Sequence, residues 1–222
     1  GSFTITATAV LNCRTATAQS NLTVLDMILQ APVGNGTFTT FRTPPDCSYF
    51  DLQVTEPSGV TVTAIGFRTD NPNTQTDIEV WSKSGTTNNL FGNTNYTQIA
   101  SGTAVSPATP NELFFVDVAD FGLAAGLHGS VIVSRNGGSS HTWYQGNGGQ
   151  TSSDLNLAMT PTGSDTNFDT QTSNTTISST ANSFSGAVVY TVGGMSGPPG
   201  TVAKFGDGCP GTFGVPTLLP GT

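Results

Sequence analysis

Residues 59–68, Gly-Val-Thr-Val-Thr-Ala-Ile-Gly-Phe-Arg, alternate apolar and polar side chains. A period of two belongs to a strand with one face buried and one wet; a helix repeats every 3.6 residues. The pattern recurs along the chain. Residues 3–11 set Phe3, Ile5, Ala7, Ala9 and Leu11 on one side and Thr4, Thr6 and Thr8 on the other. Residues 77–83 send Ile78 and Val80 inward and Trp81 to the opposite face. Residues 96–100, 129–135 and 187–192 read as further strands, and Leu155, Leu157 and Met159 share a face. Residues 113–118 are apolar but for Asp117 and read as a strand covered on both sides. In 59–68 the alternation changes phase near Ala64-Ile65, the mark of a bulge. Residues 22–30 suit a strand or a short helix. Asn136-Gly137 is a tight-turn signal, which predicts that 129–135 pairs with 141–145.

Strands about 10 to 20 residues apart, with Gly, Asn, Pro and Ser between them, predict an all-β chain. The expected architecture is an antiparallel β-sandwich or jelly roll with extended N- and C-terminal segments. Residues 1–35 form the N-terminal extension, 36–193 the sandwich domain, and 194–222 a Gly/Pro-rich tail. Residues 160–183 are too long and polar for an ordinary loop and read as a surface excursion held by Phe168 and Ile177. Ala16-Thr17-Ala18 has the small-x-small form of a leader cleavage site, but no basic residue precedes the mildly apolar 3–11; the expectation is a chain that starts after processing.

Composition narrows the function. Only 9% of the 222 residues are charged, with 6 Lys or Arg against 14 Asp or Glu and a net charge of −8; an ordinary soluble domain has about 25%. Six scattered cations cannot neutralise a run of phosphates, so no nucleic-acid partner is expected. No apolar run approaches the ~20 residues of a membrane-spanning helix. Thr is the commonest residue, at 37, and takes the solvent positions that Lys and Glu fill in a cytosolic domain. Edge lysines are a usual defence against strand pairing between molecules, and this chain lacks them.

Few residues invite chemistry. There is no Gly-x-Ser-x-Gly, and His128 and His141 are the only histidines. His128 lies in a turn. Asp70, Asn71, Asn73 and Asp77 are oxygen-rich, as is the pair Asp117 and Asp120, but neither set matches an EF-hand loop, and turn capping accounts for them. The reading is therefore no catalytic residue, no metal and no cofactor. Cys13, Cys47 and Cys209 do not have a zinc spacing. Cys13 with Cys47 is the simplest disulfide, leaving Cys209 for a bond between molecules. Four Asn-x-Ser/Thr sequons, at Asn21, Asn35, Asn95 and Asn174, are glycosylation candidates.

Five stretches carry a family resemblance: VTVTAIGFRTDNPNTQTDIEVWSKSGT, YTQIASGTAV, FFVDVADFGLAAGLHGSVIVSRNGG, SSDLNLAMTPTG and FSGAVVYTV. In this order they resemble exported bacterial β-sandwich domains. The tail KFGDGCPGTFGVPTL is similar to the FGxGCxG segment of planctomycete-type surface proteins, in which more sequence usually follows. The resemblance covers about residues 60–192 and the tail. It implies an extracellular or cell-surface place and no reaction.

Two functions follow as expectations. The first is a structural subunit of a surface layer or pilus-like filament that polymerises by donating strand 3–11 to a neighbour's sheet edge. The partner is then a second copy of the chain. The alternative is a glycan-binding module of a secreted protein, with Trp81, Trp143 and Tyr144 as stacking platforms.

Overall fold

Fifteen strands and a single 3-10 turn carry the regular structure among the described residues of the computed structural model, which are 2–11, 14–23, 26–32, 38–40, 45–87, 92–136, 142–145, 150–165, 168–169 and 182–192. In chain order they are β1 (Ser2–Leu11), β2 (Arg14–Thr23), β3 (Met27–Gln30), β4 (Phe38–Thr40), β5 (Cys47–Val54), β6 (Val60–Phe67), β7 (Gln75–Ser84), β8 (Thr97–Val105), β9 (Phe114–Leu123), β10 (Gly126–Ser134), β11 (Thr142–Gln145), β12 (Ser152–Ser153), β13 (Leu157–Asp165), β14 (Asn182–Phe184) and β15 (Ala187–Val192). The expected all-β antiparallel fold is the fold observed. Two compact units divide the chain, residues 1–25 with 195–222 and residues 26–194.

In the first unit β1 and β2 form a two-stranded antiparallel sheet with ten paired positions, from Ser2 opposite Thr23 to Leu11 opposite Arg14.

The second unit is built on one antiparallel sheet of ten strands in the order β12-β13-β5-β10-β7-β8-β9-β6-β15-β3. It curls until its end strands meet: Ser152 Oγ donates to the Gln30 carbonyl at 2.7 Å and Asn156 Nδ2 to Met27 Sδ at 3.4 Å. Tyr190 adds a third tie across the closure, its hydroxyl donating to Asp154 Oδ2 at 2.5 Å. The two halves of the sheet enclose one core, to which Val62, Ile65, Val116 and Val188 contribute from one half and Phe50, Leu52, Ile78 and Ile132 from the other. The halves join at a narrow seam, where β8 meets β9 through the single pair Gly102–Val118. A Cβ at Gly102 would lie 2.1 Å from the Asp117 carbonyl oxygen, so this approach requires glycine.

A second, smaller core covers the outside of β5, β10 and β7. Cys47, Tyr49, Trp81, Val131 and Val133 face it from the strands, and Tyr96 and Phe168 close over it. β10 is thereby buried on both faces, with Ile132 in the main core and Val131 and Val133 in the outer one. The expected excursion 160–183 is shortened, because residues 160–165 continue β13 alongside β5; Phe168 is completely buried in the outer core, and Ile177 lies outside the described residues. Arg135 pins the same segment, pairing with Asp169 at 2.5 Å and Glu79 at 2.7 Å.

β4, β11 and β14 make a separate three-stranded sheet. Arg68 ties it to the main one. Its Nε donates to the Ser185 carbonyl at 3.0 Å, its Nη1 to the Asn111 carbonyl at 2.6 Å, and its guanidinium lies 5.3 Å from the Phe38 ring centre.

Several local expectations change. The hairpin across Asn136-Gly137 does not form: β10 already has β5 and β7 on its two edges, so residues 142–145 pair with β4 and β14 instead. Leu155 does not share a face with Leu157 and Met159. Asp154 Oδ1 accepts the backbone N–H groups of Asn156 and Leu157, and this turn leaves Leu155 92% exposed. Residues 114–118 are not covered on both sides, because Phe115 and Asp117 face solvent while Val116 and Val118 face the core. β3, assigned by sequence to the N-terminal extension, pairs with β15 and buries Leu29 in the main core. The expected bulge is present. Val189 and Tyr190 of β15 pair with Ala64 and Val62, leaving Thr63 as the extra residue.

Candidate functional site

Two surfaces stand out, one in each unit. In the hairpin, the register sets Phe3, Ile5, Ala7, Ala9 and Leu11 opposite Leu22, Ser20, Ala18, Ala16 and Arg14. Strand pleating makes these ten positions one face of the ribbon. Eight of them are apolar. The other face carries Ser2, Thr4, Thr6, Thr8 and Val10 opposite Thr23, Asn21, Gln19, Thr17 and Thr15. The proposed donor strand 3–11 is thus already paired within the chain, and both strands keep one edge with no strand beside it among the described residues.

The second surface is a groove of about 420 Å³ on the outer face of β3, β15, β6 and β9. Its origin is local. The bulge at Thr63 turns Ala64 outward, and the register then lines up Ile28, Val189, Ala64 and Asp117 as one row across four strands. Phe115 stands two residues from Asp117 on the same face. Ala64 is the smallest member of the row, so the floor sinks between Ile28 and Phe115, which are 57% and 42% exposed. Thr63 and two carboxylates, Asp26 and Asp117, complete the lining. The sequence reading did not single out this site. The available signal was Asp117, in phase with Phe115, which marks an outward face within an otherwise apolar run.

The stacking candidates separate. Trp81 is half-buried in the outer core, edge-on to Phe168 at 5.2 Å, and its indole N–H donates to Glu79 Oε2 at 2.9 Å. Trp143 and Tyr144 stand in β11, opposite Thr39 and Phe38. Of the sequons, Asn21 is paired with Thr4 in the hairpin and Asn95 closes the 3-10 turn 93–95; Asn35 and Asn174 lie outside the described residues. Cys47 is fully buried in the outer core. Cys13 and Cys209 lie outside the described residues, as does His141.

The oxygen-rich loop is spent on its own turns. Ser106 Oγ donates to the Asn71 carbonyl at 2.6 Å and accepts Thr74 N–H at 2.9 Å. Asp77 accepts from Gln75, Thr103 and Asn136 at 2.8 to 2.9 Å, and these bonds hold its carboxyl below the usual aspartate range. His128 Nε2 donates to the Ala124 carbonyl at 2.8 Å and fixes the β9–β10 turn. Among the described residues no three His, Cys, Asp or Glu are grouped to hold a metal ion. No helix among them is long and apolar enough to cross a membrane.

No protein-family model matches the chain, and no curated protein matches it. Among solved structures it is similar to a clostridial cysteine protease, Cwp84, after propeptide cleavage. The TM-score is 0.46 and the identity 14%, over 78% of this chain and 42% of that one. The chain spans less than half the length of that protein, and a likeness of this size assigns it no activity.

Proposed function

We propose that this chain is an extracellular structural subunit that assembles with its own copies into a surface layer or filament through strand edges. The observation that carries the reading is the hairpin 2–23, a two-stranded sheet of its own with ten paired positions, in which eight of the ten positions on one face are apolar residues. A lone two-stranded ribbon is marginal in water and gains stability when a third strand or a packing surface covers it. The donated element is then the whole hairpin 2–23, with Phe3, Ile5, Ala7, Ala9 and Leu11 on its apolar face. Low charge favours the same outcome, since few ions have to be desolvated when subunits pack. An exported place agrees with a chain of 9% charged residues, and it makes disulfide formation and glycosylation at the sequons open to direct test by mass spectrometry. Trp81, engaged by Glu79 and Phe168, gives the glycan-binding alternative no support.

The test compares the full chain with a chain lacking residues 1–25, by electron microscopy and sedimentation. The full chain is expected to form filaments or sheets, and the shortened one to stay dispersed with its near-UV circular dichroism unchanged. A full chain that remains monomeric at every concentration, or a shortened chain that assembles equally well, overturns the reading.

A further inference from the structure

We infer that the groove on the outer face of β3, β15, β6 and β9 is a binding site for a small organic cation, an ammonium group joined to an apolar body. This goes beyond the assembly reading and does not depend on it, since every lining residue lies within 26–194.

The head of the site is on β9. Phe115 and Asp117 are both exposed and stand two residues apart on one face, about 7 Å along the strand. β6 sets Gly66 and Ala64 opposite them, so no bulky side chain from that strand crowds the ring or the carboxylate. A cation seated there meets an aromatic face and a negative charge together. The body of the site follows the row Ala64, Val189 and Ile28, which crosses three strands over about 10 Å. Asp26 stands at the far end, two residues before Ile28. The volume of about 420 Å³ suits a small ligand.

The lining decides the class of ligand. Its polar side chains are Asp26, Asp117 and Thr63. Carboxylates only accept hydrogen bonds, so the Thr63 hydroxyl is the sole side-chain donor. A sugar, whose hydroxyls both donate and accept, would find a single group to accept from. A peptide laid over Ala64, Val189 and Ile28 would strip water from its N–H and C=O groups and find no partner for them in the floor. An ammonium supplies donors and positive charge, and a hydrocarbon body needs no hydrogen bond.

Charge complementarity points the same way. Elsewhere the acids are engaged: Asp51 accepts the Thr87 N–H, Asp77 accepts from Thr103, Asp154 holds the Tyr190 hydroxyl, and Glu79 and Asp169 hold Arg135. The Asp26 and Asp117 carboxylates make no hydrogen bond or ion pair with any described residue. Arg68, Lys83 and Arg135, the described cations of this unit, are bound at other places, Lys83 over the Tyr96 ring. Residues 26–194 hold four Lys or Arg against thirteen Asp or Glu, and Asp120 is exposed three residues beyond Asp117. The potential over the groove is therefore negative, and it draws cations.

The experiment uses the full chain, dilute and dispersed at low ionic strength, with n-octylammonium as the probe and equilibrium dialysis as the readout. Octylammonium should bind about tenfold more tightly than octanol, which lacks the charge, or methylammonium, which lacks the body. Asp117→Asn and Asp26→Asn should each weaken it about threefold, as for exposed charge pairs. Phe115→Ser should weaken it about tenfold while Phe115→Tyr keeps it, because the aromatic face is what counts. These are surface changes, and an unchanged near-UV circular dichroism spectrum shows that each variant is folded. An octylammonium carrying a diazirine on its chain, irradiated and digested for mass spectrometry, should label peptides with residues 26–30, 61–66 or 114–118. Octanol binding as tightly as octylammonium, label confined to other peptides, or binding unmoved by Phe115→Ser and by the two asparagine changes combined overturns the proposal. Maltohexaose or a Lys-Leu-Lys tripeptide binding more tightly than the amine also overturns it, and makes the groove a sugar or a peptide site. None of these failures touches the assembly reading, which stands or falls on the removal of residues 1–25.

Discussion

The ten-stranded sheet has two outer faces that begin alike and end differently. Outside β5, β10 and β7, the residues Tyr49, Trp81, Val131 and Val133 are roofed by Tyr96 and Phe168. Outside β3, β15, β6 and β9, Ile28 and Phe115 stand in an open groove. Both faces break the rule that a sheet carries polar residues on the side away from its core. On the first face the chain supplies its own cover, pinned by the Arg135–Asp169 pair. On the second face the groove stays open, which is the kind of surface the proposed assembly would cover. The two faces should respond differently to the loss of a phenylalanine, and that contrast orders the tests.

The largest effect belongs to the covered face. Phe168 is fully buried between Trp81, Tyr49 and Tyr96, with ring centres 5.2 to 6.4 Å away. Phe168→Ala should cost about 3–5 kcal/mol, the range for a buried aromatic whose cavity cannot collapse. Urea unfolding measures it as a lowered midpoint at unchanged slope. A loss below about 1 kcal/mol would mean that the roof is not part of the folded unit, and the comparison would fail.

The seam between the two halves comes next. Gly102→Ala places a methyl group 2.1 Å from the Asp117 carbonyl oxygen, so β8 and β9 must separate. About 1–3 kcal/mol is expected, as for an overpacked interior. Amide exchange should quicken first in β8 and β9 if the strain stays local.

Alkali tests the tyrosines. Burial pushes the Tyr190 hydroxyl up to about 12, helped by the Asp154 carboxylate that it bonds, and burial also raises Tyr49 and Tyr96. All three are neutral in the folded chain and ionise near pH 10 once unfolded. Their contribution is therefore complete below pH 10 and is lost as the pH climbs towards 12. Each tyrosine adds at most about 1.4 kcal/mol per pH unit to that decline. Tyr190→Phe should make the fall in stability between pH 10 and 12 shallower; an unchanged slope would remove Tyr190 from the account.

How much of this was legible before folding depends on what lies beside each strand. β6 and β7 were readable because one face is less buried and the alternation survives. β5 was missed: Cys47, Ser48, Tyr49 and Phe50 are all buried, since the strand is sandwiched between two cores and loses its period. The Asn136-Gly137 hairpin failed for a long-range reason, because the edges of β10 were taken by β5 and β7, far away in sequence. The groove was hidden for the opposite reason. Phe115 looked like core in a nearly apolar run, and only the pairing of Asp117 with Ala64 shows that its side of β9 faces out. Strand phase is local information, whereas the choice of what covers a face is made by residues distant in the sequence, as Phe168 covers Tyr49.

The smallest expected effect is the one that separates the two faces most cleanly. Phe115 is 42% exposed and lies opposite Gly66, which offers it no side chain across the strand. Phe115→Ser in dilute, dispersed protein should therefore cost under about 1 kcal/mol, close to the range for surface substitutions, against the several expected for Phe168→Ala. Dilution is essential, because any association would add its own free energy to the wild type and inflate the difference. Repeating both measurements at rising concentration sharpens the contrast. The Phe168→Ala deficit should stay constant, since that ring is satisfied within one molecule. If that ring is covered by another chain, as the proposed assembly allows, the Phe115→Ser deficit should grow with concentration. A Phe115→Ser deficit that is large at high dilution would make the groove a part of the fold, and one that is small at every concentration would leave it without a partner.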